Sequence, residues 1–143
     1  MSVVKSKRGE GKLVVITKAR ELAKYTLKIC ANENNFPKRY RWSLTNKIVD
    51  SAMTIHNSAN MANSIYIYDD NDYVLRKRYQ TIALAETYAL LGMIDIAFDI
   101  YGLTADRVEY WTRLCMDVQA LLRNWRKADK DNYEKSKEQA AKV

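Results

Sequence analysis

His56 is the only histidine in this 143-residue chain, and no Cys, Asp or Glu stands at metal-ligand spacing around it. Di-iron chemistry in a helical bundle needs Glu-x-x-His pairs on two helices, and there are none. No serine sits in a strand-turn-helix elbow, and no Gly-rich loop could cradle a phosphate or a dinucleotide. The two cysteines, Cys30 and Cys115, are isolated within apolar helical patterns, which reads as buried thiols rather than a disulfide or a nucleophile. Glu86 lies in an apolar stretch, but one carboxylate without an acid or base partner does not make a catalyst. The sequence therefore predicts a non-enzyme with no cofactor, no metal and no small-molecule substrate.

Positive charge is the chemistry that is present. The net charge is +7. Residues 1–47 carry twelve Lys/Arg against three Asp/Glu, a net of +9, while residues 48–143 carry twelve against fourteen, a net of −2. Such asymmetry points to a polyanionic partner. Three clusters interleave cations with aromatics: Lys38-Arg39-Tyr40-Arg41-Trp42; Arg76-Lys77-Arg78-Tyr79; and Arg123, Trp125, Arg126 and Lys127. Cations hold phosphates and aromatic rings stack on bases. The competing reading is that the runs are solvated faces. No base-reading module is present, so binding to RNA or DNA should be backbone-directed. Contact with about five phosphates would give a log-log salt slope near −4 on duplex DNA.

These groups need a scaffold, and the pattern predicts helices. Four Gly and one Pro are too few for a turn-rich β fold. Residues 1–12 read as a flexible basic arm. Ile16, Ala19, Ala23, Leu27 and Cys30 mark a first helix that ends near Asn32. Pro37 opens a second, whose stripe is Leu44, Ile48, Ala52, Ile55, Ala59, Ala62 and Tyr66. The first basic cluster then sits in its first turn, where cations oppose the helix dipole, so helix stability is no reason for them. An acid among Asp69–Asp72 caps a third helix over about 71–101, which has no broad polar face. Such a helix is buried on most sides, either as the centre of a monomer core or in an oligomer. The oligomer reading places Tyr79, Leu90, Met93 and Trp111 at the subunit interface. Gly102 stops that helix and Thr104 opens a fourth. Val108, Trp111, Cys115, Val118, Leu122 and Trp125 follow a coiled-coil-like spacing there. Residues 128–143 read as a frayed or disordered polar tail.

The expected architecture is an all-α, up-down-up-down four-helix bundle over residues 13–127, with the second and third clusters at one end and the first at the other. No apolar run reaches membrane-spanning length and no helix pairs a basic face with a free apolar one, so no membrane role is expected. With no signal peptide, a cytoplasmic setting follows.

With the helices placed, a resemblance emerges. The run Asn34-Asn35-Phe36-Pro37-Lys38-Arg39-Tyr40-Arg41 followed by Leu44 and Ile48, the basic-to-apolar third helix from Arg76-Lys77-Arg78-Tyr79, and the closing Trp125-Arg126-Lys127 resemble the accessory variability proteins of diversity-generating retroelements. They also resemble the related four-helix bundles encoded in ribosomal-RNA intervening sequences. The likeness spans residues 13–127, and the Phe-Pro-Lys turn is its most specific part. The retroelement branch implies a ring-like or barrel homo-oligomer, a pentamer. That oligomer would bind RNA or DNA and a reverse transcriptase during mutagenic retrohoming. By that analogy Lys38–Arg41 and Arg76–Arg78 touch nucleic acid or the polymerase. The intervening-sequence branch implies a structural oligomer without catalysis.

Overall fold

The computed structural model describes residues 3–142, with side chains described from residue 14. Four helices follow in chain order: α1 Val3–Cys30, α2 Asn46–Asn63, α3 Asp70–Tyr101 and α4 Ala105–Ala141. Among the described residues there is no strand. Each helix packs on its two neighbours in a square, α1 on α2 and α4, and α3 on α2 and α4. The chain is an antiparallel four-helix bundle.

Helix boundaries follow local chemistry. The Asp69 carboxylate accepts from the Asp72 amide at 2.8 Å, satisfying one orphan donor at the start of α3. Gly102 ends α3 in the left-handed region, at φ 66°. No atom crowds its α-carbon, so Gly102→Ala should cost only the left-handed strain, about 1 kcal/mol in a urea melt. Thr104 stands at the N-cap of α4 with extended backbone, but its hydroxyl makes no cap hydrogen bond.

Three boundaries differ from the sequence reading. α1 is already helical at Val3, so the described part of the expected arm, residues 3–12, continues into the helix. α2 starts at Asn46, not at Pro37. A 3-10 turn over Lys38–Tyr40 and a π-helical turn over Arg41–Thr45 intervene. Side chains pin this segment. Phe36 is buried edge-on against Tyr101 and Trp111, and the Thr45 and Tyr101 hydroxyls lie 2.9 Å apart. Lastly, α4 runs on to Ala141, so most of the expected tail is helix.

The core is built from small residues on one side and aromatics on the other. Ser51, Ala52, Ser58, Ala59 and Ala62 of α2 are buried, as are Ala83 and Ala97 of α3. Their size lets the two backbones approach, and the Ser51 hydroxyl donates to the Glu86 carbonyl at 3.3 Å. Between α1 and α4, Trp111 is wholly buried and its Nε1 donates to Thr26 Oγ1 at 2.9 Å. α1 buries Val15, Ala19, Leu22, Thr26 and Ile29. Ala19 and Ala23 of the expected stripe are buried and Ile16 and Cys30 pack against the core, but Val15, Leu22, Thr26 and Ile29 hold its centre and Leu27 points to solvent. Cys115 is buried, with its Sγ donating to the Thr87 carbonyl, and Cys30 is half-buried. Burial pushes both thiols up to about 12, which keeps them protonated and unreactive.

α3 contains an 18-residue stretch of mean hydropathy 1.5, so by length and composition it could cross a membrane. That corrects the expectation that no run is long enough. In the bundle, α3 works as a core helix. Arg76, Gln80, Thr87, Leu90 and Ile94 line its buried stripe. The opposite face stays open: Leu75, Ile82, Ile96 and Ile100 are exposed, and Met93 is half-buried beside them. At 100° per residue these five fall within an arc of about 60°. Leu90 and Trp111 are fully buried inside the protomer and cannot form a subunit interface. Tyr79 is half-buried at the edge of the stripe.

Candidate nucleic-acid interface

The antiparallel α3 and α4 bring the second and third basic clusters together, and cross-helix contacts fix the register. The Tyr73 and Tyr133 rings stack with centroids 3.9 Å apart and planes 1° apart. Arg126 Nη1 donates to Thr81 Oγ1 at 3.3 Å. The Arg123 guanidinium lies over the Tyr88 ring at 5.5 Å. Lys77 lies over Tyr73 at 6.0 Å. These contacts place Lys77, Arg123 and Arg126 along one seam. Helical spacing adds Lys130 to the same face of α4, with Lys127 on its flank. Among the described residues no ion pair engages any of these five cations. Arg78 is exposed and stands about 100° round α3 from Lys77, within the open stripe at the angle of Ile96 rather than on the seam.

Arg76 has a different role from the expected one. It is buried, 3% exposed, and pairs with Asp129 through Nε at 2.7 Å and Nη2 at 3.0 Å. Its Nη1 donates to the Ile65 carbonyl at 3.0 Å, and its guanidinium stacks on Trp125 at 5.1 Å. Gln80 Nε2 adds a third donor to Asp129 at 2.7 Å. A guanidinium this enclosed cannot meet a phosphate. It ties α3, α4 and the α2–α3 connection into one unit. Asp129 escaped the sequence reading because it is charged, yet it continues the α4 seam at the same spacing, four residues after Trp125.

The first cluster stands at the opposite end and is partly neutralised. Lys38 and Arg41 share Glu33, at 3.7 and 3.5 Å, and Arg39 lies over Tyr40 at 5.9 Å. Trp42 is 81% exposed. These residues precede α2, so they do not sit in its first turn against its dipole.

Beyond Asp129, α4 is held to the start of α3 by Asp70. Its carboxylate accepts from Lys137 Nζ at 2.8 Å and from the Tyr133 hydroxyl. Those two hydrogen bonds, Lys137 first, hold the Asp70 carboxyl below its ordinary range. The same hydrogen bonds to Asp70, and after them its negative charge, raise both Tyr133 and Lys137. A depressed carboxyl stabilises the fold above the unfolded pKa of about 3.9 and stops doing so as pH falls through its folded value. A raised Tyr or Lys stabilises below about 10 and is lost as pH climbs through the folded value. Lys137→Ala should therefore lower the urea midpoint near neutrality, and the difference from the parent chain should vanish at both pH extremes.

The fold defines an all-α bundle with a basic seam. Its architecture is similar to that of a crystal structure of a protein of unknown function from the S23 ribosomal protein family of Bacteroides thetaiotaomicron. The TM-score is 0.69 at 16% identity, covering 82% of this chain and 98% of the other. No protein-family model matches the chain, and no curated protein matches it. The likeness is one of fold.

Proposed function

We propose that this chain is a non-catalytic accessory protein that binds RNA or DNA along the α3–α4 seam. The observation that carries the reading is a row of unpaired cations, Lys77, Arg123, Arg126 and Lys130, interleaved with Tyr73, Tyr88 and Tyr133 on one rigid face. Phosphate contacts supply affinity there without base sequence, and the exposed Tyr88 ring supplies stacking on the face that Arg123 leaves open. That a chain of the same fold carries a ribosomal-protein family name accords with an RNA partner. The resemblance to retroelement accessory proteins extends the proposal to a reverse transcriptase as second partner, presented with the nucleic acid held on the seam. Fluorescence anisotropy with labelled RNA and DNA at rising salt tests it. Submicromolar binding at low salt that weakens steeply with salt supports the reading, and no binding at low salt overturns it.

The open stripe of α3 favours self-association within the same reading. Exposed Leu75, Ile82, Ile96 and Ile100 share one face of α3, with Arg78 set among them, and apolar area of this kind marks interfaces. A ring or barrel, pentameric by the family likeness, would cover it. Light scattering should give a mass above a dimer for the parent chain, and Ile82→Asp/Ile96→Asp should give a folded monomer. A monomeric parent chain contradicts this part.

A further inference from the structure

Past the seam, at the end of the bundle, lies a cavity of about 510 Å³ between the α2–α3 connection and the last turns of α4. Tyr66, Tyr68 and Tyr133 stand on its walls, Asn132 and Ser136 line one side, and Arg76 and Asp129 lie at its inner boundary. The Tyr66 and Tyr68 rings are neighbours, with centroids 6.4 Å apart, and are 69% and 87% exposed. A connection that leaves two aromatic rings in solvent beside a cavity holds apolar area that a ligand would cover.

Both cations of the cavity, and two of its three carboxylates, are already paired. Asp129 is held by Arg76 and Gln80, Asp70 by Lys137 and Tyr133, and Asp69 caps α3. No cation is left over for a phosphate, and the one carboxylate without a cation, Asp69, is turned to the amide of Asp72. The polar groups that remain are neutral. Among the described residues, the side chains of Asn132 and Ser136 and the backbone amides of Tyr66 and Ile67 have no hydrogen-bond partner. Aromatic walls with neutral donors and acceptors suit a planar, uncharged, hydrogen-bonding group. The unpaired cations lie next door, since Tyr133 stacks on Tyr73 and Tyr73 carries Lys77 on its ring.

We infer that the cavity takes an unstacked nucleobase of a single strand whose phosphates lie on the α3–α4 seam. This rests on the nucleic-acid reading and deepens it, because a duplex keeps its bases paired and cannot offer one to the cavity without the cost of flipping it. Stacking on tyrosine is sequence-tolerant, so preference for single strands is expected rather than preference for a sequence.

Anisotropy with three probes of equal length tests the inference: a single-stranded oligonucleotide, the same strand made abasic throughout, and a duplex. The single strand should bind about tenfold more tightly than the abasic strand. Tyr66→Ala/Tyr68→Ala, two exposed positions whose replacement leaves the core untouched, should remove most of that difference and leave the salt slope unchanged. Equal affinity for intact and abasic strands, or a difference that survives the double substitution, overturns the base site while the seam reading stands. If no probe binds at low salt, the seam reading fails and the base site fails with it.

Discussion

An Asp129→Ala chain is expected to lose about 3–5 kcal/mol of unfolding free energy, because the substitution strands the Arg76 guanidinium in the interior without its counter-charge. A domain of this size has a total stability of about 5–15 kcal/mol, so the loss is a large fraction of the whole. The acid also accepts from Gln80, whose Oε1 is already buried without a partner, and truncation would leave the whole amide unsatisfied. Removing the charges together is a different matter. A well-packed apolar replacement of a buried pair is often neutral, so Arg76→Met/Asp129→Leu should recover most of the loss. Urea unfolding of the three chains checks both statements. An Asp129→Ala chain as stable as the parent would mean that the pair is open to water.

The second large effect concerns binding. Lys77→Glu/Arg123→Glu/Arg126→Glu should weaken single-stranded oligonucleotide binding at least a hundredfold at low salt, since a charge-assisted contact contributes about 1.5 kcal/mol or more. Five seam phosphates predict a log-log salt slope of about −3.5 on a single strand, and two remaining contacts predict about −1.4. Lys77 and Arg123 are exposed and Arg126 is half-buried, so the triple change removes two cross-helix contacts and should cost about 1 kcal/mol of stability, far less than the loss of binding. Lys38→Glu/Arg39→Glu/Arg41→Glu at the far end should have a smaller effect, because Glu33 already occupies two of those cations. Far-UV circular dichroism separates lost binding from lost fold.

The bundle was legible because its helices obey spacing. Trp111, Cys115, Val118, Leu122 and Trp125 alternate steps of four and three, and all are buried. Gly102 and the Asp69 cap mark the ends of α3 by chemistry that does not depend on distant parts of the chain. Legibility failed where a polar residue holds a core position. Asp129 and Tyr133 extend the α4 seam, but their polarity reads as a tail, and Arg76 in Arg76-Lys77-Arg78 reads as one of three surface cations. Only the pairing of α3 with α4 shows that these residues complete one another. The stripe of α1 is legible only in part: Ala19 and Ala23 are buried as expected, but Ile16, Leu27 and Cys30 compete with Val15, Leu22 and Ile29 for its centre. Packing against Trp111 and α2 decides between the two sets. The interface residues failed for a related reason. Leu90 and Trp111 are apolar like Ile82 and Ile96, and which of them a protomer buries depends on the three-dimensional neighbours of α3.

In the proposed reading one face, the α3–α4 seam, meets nucleic acid. Photo-crosslinking of a 4-thiouridine-bearing single strand to the full chain, followed by mass spectrometric assignment of the modified residues, tests it most directly. The seam and the cavity beside it predict crosslinks concentrated in residues 66–88 and 123–136, at Tyr66, Tyr68, Tyr88 and Tyr133 above all. Crosslinks confined to Lys38–Trp42, or distributed over all four helices without preference, would contradict it.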